Sequence, residues 1–86
     1  MDKIDKNLMD EIQNSNENTL RVIVQLNEPF NEEEDKRIVK SLGGEFLFDL
    51  PIINSYVAKL SKSAIKMLAL NKRVKRIFLD EKISIT

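Results

Sequence analysis

An α+β fold is predicted by three observations. The first is residues 43–60. The paired glycines Gly43 and Gly44 end whatever precedes them, because glycine tolerates the positive φ of a helix C-cap. Phe46, Phe48 and Leu50 then alternate with Glu45, Leu47 and Asp49, the period of a strand with one buried face. Pro51 removes a backbone donor and breaks the run. Tyr56, Ala58 and Leu60 alternate again with Ser55, Val57 and Lys59, giving a second strand. The second observation is a segment of helical character on either side of this pair, and the third is a further apolar run beyond each helix. The order β-α-β-β-α-β is the split βαβ arrangement, a ferredoxin-like fold. It predicts a four-stranded antiparallel sheet with two helices on one face. To this are added an extra N-terminal helix and an extended C-terminal tail.

Taken in order, residues 1–14 place Ile4, Leu8 and Ile12 four residues apart among mixed charges, an amphipathic helix tucked against the domain. Residues 14–18 (Asn-Ser-Asn-Glu-Asn) are a polar linker. Residues 20–26 are a β-branched strand. Asn31 reads as an N-cap with Glu34 as its capping-box partner. Glu32, Glu33, Glu34 and Asp35 place negative charge where the helix dipole favours it; without EF-hand spacing they do not read as a calcium loop. Ile38, Val39 and Leu42 form the apolar stripe of that helix. Ser61 caps the next one, whose apolar face is Ala64, Ile65, Met67, Leu68 and Ala69, with Asn71 and Lys72 at its end. Residues 73–79 are the last strand. Val74 and Ile77 are out of alternation there, which places Val74 at the helix–strand turn. The organisation is residues 1–18 as helix and linker, 19–80 as the ferredoxin-like domain, and 81–86 as a tail.

Composition narrows the function. The 86 residues make one small domain with neither cysteine nor histidine. Disulfides, thiolate or imidazole metal sites and the usual nucleophile–base pairs are therefore excluded. The serines have no histidine to activate them, and the carboxylates are spread over helices and turns. No cofactor and no metal is expected, and the expectation is a non-enzyme. Fourteen Lys and Arg balance fourteen Asp and Glu, so charge supplies no reason for nucleic acid or an anionic membrane as partner. No run is apolar enough for a membrane span, and no apolar h-region follows the N-terminus. The expectation is that the chain stays inside the cell, or that a signal lies upstream of these residues.

The faces of the sheet are informative. Val22, Val24, Phe46, Phe48, Leu50, Tyr56, Ala58 and Leu60 are expected to point toward the helices. The opposite face, which two helices leave uncovered, then carries Ile23, Leu47, Val57 and Phe78, about one per strand. An apolar stripe on an open sheet face is a candidate binding surface. In the tail, Ile83 and Ile85 alternate with Lys82 and Ser84, an extended segment able to add as a strand to another protein's sheet.

Several stretches carry a specific resemblance. Arg21-Val22-Ile23-Val24, then Ile38-Val39-Lys40-Ser41-Leu42-Gly43-Gly44, then residues 50–61 (Leu-Pro-Ile-Ile-Asn-Ser-Tyr-Val-Ala-Lys-Leu-Ser), then Ala64-Ile65-Lys66-Met67-Leu68 and residues 74–80 together resemble the propeptides of subtilisin-like serine proteases, the I9 inhibitor family. The match runs in order over residues 20–86; residues 1–18 lie outside it. The resemblance implies a ferredoxin-like prodomain that acts as intramolecular chaperone for its cognate protease and then as its product-type inhibitor. It implies that the open sheet face packs on two parallel helices of the protease, and that Asp80 caps the N-terminus of one of them. It further implies that Ile83, Ser84, Ile85 and Thr86 occupy the active-site cleft, with autocleavage after Thr86. Two features depart from the family pattern. Phe78 stands where a second acidic residue is common, and Thr86 is smaller than the usual residue there. The N-terminus, with its extra helix, is more like the subtilases of spore germination.

Two other readings are kept. One is a free-standing protease inhibitor of the same fold. The other is a small-molecule regulatory or RNA-binding ferredoxin-like domain, although the aromatic pairs and basic excess of an RNA binder are missing.

Overall fold

The structure, a computed structural model, describes residues 3–81. Its elements are α1 (Lys6–Asn14), β1 (Thr19–Leu26), α2 (Glu32–Ser41), β2 (Glu45–Leu50), a 3-10 turn (Pro51–Ile53), β3 (Ser55–Ser61), α3 (Lys62–Leu68) and β4 (Val74–Leu79). The sheet order is β2-β3-β1-β4 with every neighbouring pair antiparallel, the ferredoxin-like α+β fold the element order predicts. The inhibitory tail expected at Ile83, Ser84, Ile85 and Thr86 lies outside the described residues.

One core holds the domain. Leu20, Val22, Val24 and Leu26 alternate along one face of β1 and are all buried. Tyr56, Ala58 and Leu60 stand opposite Val24, Val22 and Leu20 in β3. Val39 of α2, with Ala64, Ile65 and Leu68 of α3, closes over them. Leu8 and Ile12 of α1 join the same cluster, so three helices rather than two contribute to this core. Residues this fully buried are each worth about 1.5–3 kcal/mol of transfer free energy. At one end Phe30, Phe46 and Tyr56 gather with ring centroids 5.4–6.2 Å apart.

Several expectations need correction. The N-terminal helix begins only after its cap, Asp5, whose side chain accepts from the Asn7 amide. Ile4 lies before it and forms a parallel bridge with Ile77. The amide of Ile77 donates to the Lys3 carbonyl at 2.7 Å and the Asp5 amide donates to the Ile77 carbonyl at 2.9 Å, so this strap covers the β4 edge of the sheet. Helix α2 has the expected cap, with Asn31 Oδ1 accepting from the Glu34 amide. The reciprocal bond comes from Asp35, whose Oδ2 accepts from the Asn31 amide, while Glu34 turns out to Arg37. Helix α3 stops at Leu68, before Asn71. Val74 belongs to β4 opposite Leu26, and a register shift between Gln25 and Leu26 brings both Val74 and Ile77 to the core side.

The α2–β2 and β2–β3 connections are set by backbone geometry. Gly43 sits at φ 75° after α2, as its glycine predicts. Beside it, Gly44 runs so close to β3 that a Cβ would stand 2.9 Å from the Lys59 carbonyl oxygen. Asn54 follows the 3-10 turn at φ 49°, a conformation asparagine tolerates better than most residues. Its side chain donates to the Glu28 carbonyl and accepts from the Phe30 amide, tying this turn to the β1–α2 loop.

Candidate protein-binding face

Strand β2 decides which residues reach the uncovered face. Phe46 stands opposite Ala58, but Phe48 stands opposite Val57, so β2 advances two residues while β3 advances one. This β-bulge leaves Leu47 as the extra residue and reverses the alternation after it. Phe48 and Leu50, expected to point toward the helices, share instead the face of Val57 and Ser55. Leu47, expected on the open face, lines a shallow hollow with Lys36, Lys40, Gly44 and Phe46 beside α2.

The result is a continuous apolar row, one residue from each strand. Phe48 of β2 pairs with Val57 of β3, Val57 with Ile23 of β1, and Ile23 with Phe78 of β4. Val57 is only 1% exposed yet stands apart from the core cluster under the helices, because it is buried in the middle of this row. Phe48, at the edge, is 42% exposed. Of the four open-face residues read from the sequence, Ile23, Val57 and Phe78 lie in the row and Leu47 does not; Phe48 replaces it. The bulge left no mark in the alternation of residues 45–50, which reads as an unbroken strand.

Charges border the row. Glu45, Lys59 and Arg21 are register neighbours across β2, β3 and β1, and Asp80 lies beside Arg21 beyond the end of β4. The Arg21 guanidinium lies 5.5 Å from the Phe48 ring centroid, and that of Arg76 lies 5.7 Å from the Phe78 ring centroid. The arginines thus spread their planar groups over the ends of the row and keep its aromatic rings partly covered. On the far side, Leu50, Ile52 and Ile53 follow at the β2–β3 connection, with Ile52 fully exposed.

A second charged cluster was not read from the sequence. Asp35 is 1% exposed and accepts from Arg73 Nε at 2.9 Å and Nη2 at 2.7 Å. Arg73 Nη2 also donates to the Pro29 carbonyl, and Nη1 to Glu28. Hydrogen bonding to Asp35 raises the Arg73 pKa further and keeps it charged. This fork joins α2, the β1–α2 loop and the start of β4, so its role is architectural. Among the described residues no three carboxylates converge into a set that could hold a metal ion, and no helix is long and apolar enough to cross a membrane.

Comparison with protein-family models and with curated proteins finds no match to this chain. What the geometry defines is a ferredoxin-like domain whose helices cover one sheet face and whose other face presents an apolar, charge-bordered row.

Proposed function

We propose that this chain is the propeptide of a subtilisin-like serine protease, serving as its intramolecular chaperone and as a product-type inhibitor of its active site. The observation that carries the reading is the row Phe48–Val57–Ile23–Phe78 on the uncovered sheet face. Support also comes from the sequence resemblance over residues 20–86. A protein that leaves such a row facing water gains free energy by covering it, and two parallel helices of a protease match a flat, twisted sheet in shape. Covering the row stabilises the folded protease relative to its unfolded chain, which is the thermodynamic content of chaperoning.

The tail supplies inhibition in this reading. Residues 83–86 lie extended in the cleft, paired through backbone hydrogen bonds as an added strand. Ile83 fills an apolar pocket, and Thr86 ends beside the catalytic serine with a carboxylate. A carboxylate is no acyl donor for the serine, so the bound tail blocks the cleft without being turned over. The chain itself performs no catalysis and needs no cofactor.

The test is titration of the 86-residue chain against a mature bacterial subtilisin with a chromogenic peptide substrate. The expected result is inhibition by the whole chain. A chain lacking residues 83–86 is expected to bind without blocking the cleft. Equal inhibition by both chains, or none by the whole chain, overturns the mechanism.

A further inference from the structure

The segment leaving β4 is held by one residue of β1. Strand β4 ends at Leu79, opposite Val22. The next residue, Asp80, donates its amide to the Arg21 carbonyl at 3.0 Å, extending the ladder by one bond beyond the strand. Its carboxylate Oδ2 accepts from Arg21 Nε at 2.6 Å. Arg21 therefore grips Asp80 through main chain and side chain at once. Its guanidinium is in turn braced against Phe48, which belongs to β2, two strands away. The pair is part-buried, with the Arg21 side chain 38% and that of Asp80 25% exposed. Lys59 stands opposite Arg21 in register, so Asp80 also offsets a like-charge contact in the middle of the sheet.

Resting on the propeptide reading, we infer that Arg21 is a positioning residue for inhibition: by clamping Asp80 it fixes the point at which the chain leaves the sheet, and so narrows the directions from which the tail can reach the protease cleft. The tail is joined to the sheet face, so its binding is an intramolecular step once that face has docked. The strength of such a step depends on how narrowly the junction restricts the tail before it binds. An Asp80 held at one atom would leave the junction freer to swivel about its own backbone; held at two, its amide and side chain are both fixed and the swivel is narrowed. Phe48 thereby serves twice, as a member of the apolar row and as the support of the clamp.

Three variants and three readouts test this. Arg21→Met keeps an aliphatic stem against Phe48 and removes the grip; Arg21→Lys restores the charge; Asp80→Asn removes the acceptor charge at constant size. In the unbound chain, hydrogen exchange of the Asp80 amide is expected to quicken about tenfold in Arg21→Met while that of Val24, in mid-β1, is unchanged. Against a bacterial subtilisin, Arg21→Met is expected to raise the inhibition constant about tenfold or more, with part of the loss recovered in Arg21→Lys. Combining Arg21→Met with Asp80→Asn is expected to cost little beyond either alone. Because Arg21 borders the docking row, binding of Arg21→Met to subtilisin whose cleft is filled by a peptidyl chloromethyl ketone is expected to fall as well, but by clearly less than inhibition falls with the cleft open. Equal losses with open and filled clefts make Arg21 a docking contact and overturn the inference, as does undiminished inhibition by Arg21→Met or an unchanged Asp80 exchange rate. In each of those cases the unaltered chain still inhibits and the propeptide reading stands. Absence of inhibition by the unaltered chain overturns that reading, and the role of Arg21 with it.

Discussion

Tyr56, the one tyrosine of the chain, makes the alkaline side of stability readable from a single side chain. Burial, reinforced by the negative charge of Asp35, raises its pKa above the ordinary 10.0. The folded value lies above the unfolded one, so the associated stability is complete below about pH 10 and is lost as the pH rises beyond it. Tyrosinate absorbance is expected to appear together with loss of folded circular dichroism in one transition. Titration of the tyrosine in a chain still folded would contradict this. Asp35 and Arg73 form the buried ion pair of the domain. Replacing Asp35 with Ala takes the buried partner from a part-buried guanidinium, leaving it Glu28 and the Pro29 carbonyl, and is expected to lower unfolding stability by about 3 kcal/mol in urea titration. Arg73→Met is expected to be worse, because the carboxylate it abandons is 1% exposed. Of the acidic run at the start of α2, Glu32, Glu33 and Glu34 fit the dipole explanation. Asp35 does not, because its partner lies 38 residues away and no local spacing announces it.

At the scale of the element, the bulge in β2 divides two phenylalanines that the sequence places together. Phe46 joins the rings under α2, and Phe48 joins the apolar row. Phe48→Asp, like Phe78→Asp, is expected to weaken subtilisin binding by about 2 kcal/mol or more, since a charge would be desolvated in the contact. Leu47→Asp, beside α2, is expected to change binding by less than about 0.5 kcal/mol. Inhibition constants of the three variants check this, and the opposite order would place Leu47 back on the contact face. Helix α1 is a second element whose meaning came from its surroundings. Its periodicity predicted an apolar stripe, but not that Ile4 would leave the helix and pair with Ile77. A strap of residues 3–5 forms because β4 would otherwise present an unpaired edge.

For the whole molecule, the consequence is that residues 3–14 are part of the domain rather than an appendage to it. Leu8 is 0% and Ile12 is 7% exposed, both within the common core. Lys62 also donates its ammonium to the Ser15 carbonyl, fastening the linker to α3. Removing residues 1–14 forfeits roughly 3–6 kcal/mol of apolar burial, out of the 5–15 kcal/mol typical of a folded domain. The shortened chain is expected to unfold at markedly lower urea concentration, with partial recovery on adding subtilisin, since binding favours the folded state. An unshifted midpoint would show that α1 contributes nothing to the core.

The order of elements, the alternation in β1 and β3, the caps Asn31 and Ser61, and the stop at Gly43 were all determined by the sequence alone. Each rests on forces acting within a few residues: side-chain parity, the donors left over at a helix start, and the steric freedom of glycine. The same holds for Ile23, Val57 and Phe78 as open-face residues, because parity carries from one strand to the next wherever the ladder is regular. Only the tertiary structure decided that Phe48 rather than Leu47 completes the row, that Asp35 is buried against Arg73, and that Asp80 is held by Arg21. A bulge forms where packing against a neighbouring strand favours an extra residue, and an ion pair forms between groups that folding brings together across dozens of positions. Neither leaves a local pattern, since its free energy comes from contacts that exist only once the sheet and its helices have closed on one another.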